Sequence, residues 1–322
     1  MNWRAASAGL ALLAVTVGRV HAEPPDPVRR DYHLTARQIA DGSYVVEGST
    51  EDFSRANGGL MVNSAFIVTD EGVIVLDTGP SRLFGEQFRA LIDRTSGGKP
   101  IVQVINSHLH PDHFLGNQAF APETLSATSE TIAGMSAAGE DFTTNMYRLL
   151  GNWMLDTEPV VPKTVLQAHT AVVGGHRLHY LTLAGHSDSD VALFDETTGV
   201  LYAADLVFHD RTPTTPHADI APWLAALAAL EALKFKVVVP GHGPVAQDAG
   251  PLHQTADWLR WLDGTLRQAA RQGLSEAEVF RLPIPERFSA LSLTRAEFER
   301  SVVHLYPALL RGQLQPSATK VE

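Results

Sequence analysis

The chain has no cysteine among its 322 residues. That excludes disulfides as a source of stability, and it excludes thiolate metal ligands and a cysteine nucleophile. Any metal chemistry is left to histidine and carboxylates. Positive charge is scarce as well: 25 Lys and Arg stand against 36 Asp and Glu, a formal net charge of −11, with no basic run. Nucleic acid calls for clustered cations to neutralise phosphates, so the balance argues against such a partner. No long apolar segment follows residue 22, and there is no internal repeat and no low-complexity linker. What is present is a 44% hydrophobic content with 19% charged residues. This is the composition of a soluble globular protein able to bury a large core.

Residues 1–22 have the pattern of a secretory signal peptide. Arg4 precedes the short apolar stretch Gly9–Val17, Val20-His21-Ala22 fits a cleavage site, and Glu23-Pro24-Pro25-Asp26-Pro27 reads as an exposed start. The alternative is an uncleaved anchor. Without Arg4 and Arg19 the remainder carries 23 basic and 36 acidic residues, a charge of about −13. The expected location is periplasmic or secreted, with no membrane span after the leader is removed.

The rest of the chain alternates strand-like and helix-like stretches. Strands are expected at Tyr44–Gly48, Leu60–Thr69, Val73–Leu76 and Ile101–Ile105, with a tight turn at Asp70-Glu71-Gly72. Ser81 is placed to cap a helix reaching about Thr95, with Phe84, Phe88, Leu91 and Ile92 on one face. A second helix is expected over Ser129–Leu150, its C-terminal part apolar enough to cover a site. Successive strands follow at Thr164–His169, Ala171–Val173, His179–Leu183, Val191–Asp195 and Gly199–Ala203. A helix over Pro222–Leu233, a strand over Lys236–Val239 and helices near 251–273 and 294–311 complete the pattern. The organisation expected is a catalytic domain over 23–250 with a helical extension, 251–322, packed on it.

One stretch concentrates the chemistry. Ser107-His108-Leu109-His110-Pro111-Asp112-His113 puts three imidazoles and a carboxylate just after the apolar run Ile101–Ile105. On extended chain, residues i and i+2 point to one side, so His108 and His110 can reach one ion. Beyond Pro111 a helix can begin, turning Asp112 and His113 toward a second ion. His186, Asp205 and His242 each come at or just after a strand-like run. Taken singly, each of these three is as readily a loop histidine or a turn-forming aspartate. Together with the cluster they make a set of seven ligands for one or two metal ions that activate water.

This order, His108-x-His110-x-Asp112-His113 followed by His186, Asp205 and His242, resembles the metallo-β-lactamase-fold hydrolases. Asp77-Thr78-Gly79 and Pro240-Gly241-His242-Gly243 match as well, and the similarity spans about residues 43–245. The resemblance implies an α/β fold, a four-layer αββα sandwich with the site at one edge and C-terminal helices added. It implies that His108, His110 and His186 hold a first metal, that Asp112, His113 and His242 hold a second, and that Asp205 bridges them. It also implies two zinc ions, although the same ligand types accept iron or manganese. Within the group, the stretches Asn106–Asn117 and Phe208–Pro213 look like the quinoprotein relay system zinc metallohydrolases. The set is also similar to glyoxalase II-like hydrolases, but the C-terminal helices do not match a glutathione-binding domain.

The function expected is that of a periplasmic binuclear hydrolase acting on a small molecule, linked to a periplasmic quinoprotein dehydrogenase. A metal lowers the pKa of bound water to about 7 and so supplies hydroxide at neutral pH. Asp112 is expected to orient that nucleophile, and Asp77 either to support a ligand histidine or to close a turn. His209 and His217 either line the pocket or lie in a solvated loop. Three alternatives stay open: a class B3-like β-lactamase, a mononuclear iron persulfide dioxygenase, and a non-catalytic periplasmic accessory protein.

Overall fold

In the computed structural model, which describes residues 30–314, two β-sheets stack face to face with helices outside each. The expected signal peptide lies outside the described residues. The first sheet follows chain order: β1 (Arg37–Ala40), β2 (Ser43–Val46), β3 (Ser64–Val68), β4 (Val73–Leu76), β5 (Ile101–Ile105), β6 (Leu125–Ala127) and β7 (Thr164–Val165). It is antiparallel as far as β4 and parallel from there on. The second sheet contains β8 (His169–Val173), β9 (His176–Leu183), β10 (Asp190–Asp195), β11 (Val200–Phe208) and β12 (Val237–His242). Its spatial order is β12-β11-β10-β9-β8, and only the β11–β12 pair is parallel.

The two-residue period of the strands builds the layers. Ala65, Ile67, Ile74 and Ile105 turn inward to meet Leu178, Leu193, Val200, Tyr202 and Val239 of the other sheet. The intervening Phe66, Val73, Val75 and Val104 turn outward onto Phe84, Phe88 and Ile92 of helix α1 (Arg82–Ser96). On the opposite outer face, Ala192, Leu201, Ala203 and Val238 share a core with α4 (Ile220–Glu231), α5 (Gly250–Arg271) and α7 (Thr294–Leu314). Both faces of the central strands are buried, which is why they read as unbroken apolar runs. The expected αββα sandwich is thus the observed fold. Two other helices bear on the site: α2 (Pro111–Phe114) and α3 (Ser129–Leu150). A short α6 (Glu276–Val279) connects α5 to α7. No described helix is long and apolar enough to cross a membrane.

Local chemistry explains the boundaries. The Ser81 side chain accepts from Phe84 N at 3.1 Å and starts α1, and left-handed Gly97 ends it. The strand expected over Leu60–Thr69 begins only at Ser64. The reason is Asn63, whose side chain leaves the sheet to donate to Pro240 O (2.8 Å) and Gly243 O (2.7 Å). The strand expected to end at Ala203 continues to Phe208. Strand β7 is only two residues long, and His169 already belongs to β8. Strand β1 has no apolar alternation to betray it, since its Arg37 and Gln38 are exposed.

Candidate metal centre

The first sheet delivers the histidine cluster and the second closes over it. Strand β5 ends at Ile105, and the chain bends at His108 and Leu109 before His110, which is extended again. Pro111 then begins α2, where its fixed φ and missing N–H cost nothing. The switch to helical chain places the His113 ring beside His108, with centroids 4.1 Å apart, and groups Asp112 and His113 with His242. In the second sheet, Ala204 adopts φ +46° and the β11–β12 register slips on either side of it. This bulge lets Asp205 point into the site from within a strand, not from its end as expected. Gly241 completes the approach, because a Cβ there would overlap Asp205 Oδ1.

The seven expected residues come together in two adjoining groups. His108, His110, His186 and Asp205 offer ligand atoms all within 4.8 Å of one another, and so do Asp112, His113 and His242. His110 Nδ1 lies 2.9 Å from His108 Nε2 and 2.8 Å from His186 Nε2. Asp205 stands between the groups. Its Oδ2 is 3.2 Å from both His186 Nε2 and His242 Nε2, and its Oδ1 is 3.2 Å from His113 Nε2. Asp112 Oδ2 is 3.4 Å from His242 Nε2.

The outer nitrogens explain which inner ones are bare. Ser107 Oγ donates to Asp77 Oδ2 at 2.8 Å, so at 3.0 Å it is the acceptor for His108 Nδ1–H. His113 Nδ1–H donates to Asp77 Oδ2 at 2.7 Å, and His242 Nδ1–H donates to Met61 O at 2.8 Å. His110 faces inward with Nδ1, and its Nε2–H donates to His217 Nδ1 at 2.7 Å. Four rings are thereby held with a fixed nitrogen turned inward. Ser107 N also donates to Asp77 Oδ1 at 2.8 Å, so one buried aspartate orients the start of the whole cluster.

A cation fits this arrangement. Burial, reinforced by the neighbouring rings, holds His108 and His110 well below the usual imidazole range and His186 at about 4. His108 Nε2 and His110 Nδ1 face each other at 2.9 Å while their outer nitrogens are engaged by Ser107 and His217. Burial also acts against charge on His113, but Asp205, Asp77 and Asp112 outweigh it and hold that ring well above its usual range. Asp205 is held well below the carboxylate range, burial being overcome by His242, His113 and His186. His113 Nε2 and Asp205 Oδ1 are buried and make no hydrogen bond. Unpaired buried polar atoms are costly, and a metal ion shared among these donors would satisfy them.

Beside the two groups lies a cavity of about 310 Å³, floored by His110, Asp112, Asp205 and His242. Helix α3 covers it with Phe142, Asn145, Met146 and Leu149, as the apolar end of that helix predicts. His217 lines it too, whereas His209 does not; its Nδ1–H donates to Pro244 O at 2.6 Å. The structure adds two residues to which sequence reading gave no role, Arg211 within the stretch 208–213 and Glu297 near the C-terminus. Arg211 is fully buried with Nη1 3.1 Å from His242 Nδ1, and Glu297 of α7 lies 3.6 Å from Arg211 Nη2. Burial pushes the Glu297 carboxyl up, against the pull of Arg300 and Arg211. The place of Arg211 in the stretch Phe208–Pro213 was the available signal; Glu297 had none.

Comparison with known proteins agrees with this geometry. The family model described as "Metallo-beta-lactamase superfamily" matches residues 57–242, more than half of the chain. Among curated proteins, a linear primary-alkylsulfatase from Pseudomonas sp. (strain ATCC 19151) is 23% identical over 297 residues. That match covers 77% of this chain and 55% of the relative, so the chain spans about half the length of that protein. A metallo-beta-lactamase from Pontibacter korlensis superposes with a TM-score of 0.56 at 22% identity, covering 70% of this chain and 99% of that one. The metallo-beta-lactamase IND-7 does so with a TM-score of 0.56 at 18% identity, covering 72% and 100%.

Proposed function

The chain belongs to the metallo-beta-lactamase superfamily, and from that premise we propose that it is a binuclear zinc-dependent hydrolase of a small-molecule acyl compound. The observation that carries this reading is Asp205, a carboxylate 3.2 Å from ligand nitrogens of both groups at the floor of an open cavity. His108, His110 and His186 would hold one ion and Asp112, His113 and His242 the other, with Asp205 common to both. Bound there, the ions would lower the pKa of water and offset the charge that develops on the substrate oxygen.

The chain's own groups do the rest. Asp77, Met61 O and His217 each engage the outer nitrogen of a ligand ring, so His113, His242 and His110 turn a fixed nitrogen toward the site. Asp112 borders the cavity and is placed to accept a proton from the attacking water and pass it to the leaving group. Phe142 and Met146 exclude bulk water from one side. Similarity to the alkylsulfatase favours a second reading, hydrolysis of a sulfate ester at the same floor. The periplasmic setting rests on the leader pattern of residues 1–22, and the link to a quinoprotein dehydrogenase on the stretches 106–117 and 208–213.

Elemental analysis of protein purified without chelators tests the reading. Two zinc ions per chain are expected, falling to one or none in Asp205→Ala. One iron per chain with oxygen consumption would replace hydrolysis by oxygenation. Full support of a dependent dehydrogenase by Asp112→Ala would remove catalysis from the account.

A further inference from the structure

We propose that the substrate is an uncharged carboxylic acid ester whose acyl part is an apolar chain of about six to eight carbons. The inference rests on the hydrolase reading and concerns the walls of its cavity. Phe142, Met146 and Leu149 of α3 are spaced i, i+4, i+7 and so present one helix face; with Phe53, Met61 and Pro216 they line the space beside the metal ligands. At a liquid-like volume of roughly 30 Å³ per heavy atom, the 310 Å³ of the cavity holds such a chain together with its reacting carboxyl group.

The charges in the same wall are already matched. Arg300 Nη1 donates to Glu297 Oε1 at 2.6 Å and its Nη2 donates to Asp52, while Arg211 Nη2 lies 3.6 Å from the same Glu297 oxygen. Two guanidinium groups thus face two carboxylates, and Glu297 is fully buried. An anionic tail would compete with Asp52 and Glu297 for guanidinium groups these carboxylates already engage, and would lie close to both negative charges. An apolar tail disturbs none of them and gains about fourfold in binding for each methylene it buries. In the reaction, the oxygen of water adds to the acyl carbon and the bond from that carbon to the alcohol oxygen breaks. One proton of the water goes to the alcohol and the acid is released.

Two measurements on the metal-loaded full chain test this. The first is hydrolysis of p-nitrophenyl acetate, butyrate and hexanoate, and of the p-nitrophenyl monoester of adipic acid, which has the hexanoate length but ends in a carboxylate. The value of kcat/KM is expected to rise at least tenfold from acetate to hexanoate and to fall at least tenfold from hexanoate to the adipate. The second is calorimetric binding of hexanamide and of adipic acid monoamide, which need no turnover; hexanamide is expected to bind at least tenfold more tightly. Leu149→Glu, at a partly exposed position where folding is not at stake, is expected to cut the hexanoate-to-acetate ratio tenfold with metal content unchanged. A flat chain-length series, a preference for the adipate compounds, an unchanged ratio in Leu149→Glu, or faster cleavage of octyl sulfate than of the hexanoate would each overturn the inference. If hexanamide is preferred but no ester turns over with both ions bound, the hydrolase reading fails while the cavity's preference stands.

Discussion

Gly241 shows how little space a ligand carboxylate has here. Asp205 reaches both groups only because position 241 has no side chain, and the strained Ala204 before it sets its direction. Gly241→Ala is expected to push the carboxylate aside and lower affinity for both ions, read by competition with a chromogenic chelator. The outer partners of the rings are tested in the same way. Asp77 holds the His113 proton from a left-handed backbone (φ +57°), a conformation asparagine also tolerates. Asp77→Asn should keep the fold and weaken metal binding by about 10- to 100-fold, the usual effect of losing a ligand's outer hydrogen bond. His217→Ala should cost roughly tenfold by freeing His110 to take its other tautomer. Normal metal affinity in both variants would show that the outer hydrogen bonds do not set the tautomers. Four of the candidate ligands could be read from spacing, since His108 to His113 lie within one short stretch, and the other three only from their order after that cluster. His217 could not, because it lies 107 residues from its partner on a loop whose path depends on the packing of β11 and α4.

Helix α7 reaches further into the site than a C-terminal helix needs to for packing alone. Glu297 on its first turn is the counter-ion of buried Arg211, which in turn lies against His242. Removing one partner of a buried ion pair typically costs about 3–5 kcal/mol. Glu297→Ala is therefore expected to lower the melting temperature, and to weaken the Asp112–His113–His242 ion more than the other, seen as a change from two bound zinc ions toward one. Loss of both ions in parallel would mean the helix supports the fold and not this group. Helix α1 could be delimited from its cap and periodicity, because Ser81 and the apolar face are local signals; the Thr128 cap of α3 emerged only from the structure. The bulge in β11 was not legible. Apart from Asp205 the strand is an apolar run, and an aspartate after such a run reads as a turn former and not as a point where the ladder slips.

At the scale of the whole molecule, the two sheets meet above a core that contains no disulfide and no cysteine. At the ligand end they are joined by Val191 N donating to Ser107 O at 2.8 Å and by Asn63 donating to the turn at Gly241–Gly243. Metal ions shared between the sheets would add to these links. Chelation is expected to lower the melting temperature by about 10 °C or more, since ions held well below the working concentration contribute several kcal/mol and each is worth about 2–4 °C in a chain of this size. An unchanged melting temperature after complete removal of the ions would place the stability in the apolar core alone. The sequence by itself determined the main strand and helix stretches and the close-set ligands His108 to His113, because apolar runs and close spacing of histidines are properties of short segments; the layer order came with the ordered motif set and its family resemblance. Only the tertiary structure decided how Asp205 stands between two groups, which nitrogen each ring turns inward, and which charges in the cavity wall are already matched. Those depend on atoms brought together from segments up to 248 residues apart, where electrostatic and packing contacts leave no pattern along the chain.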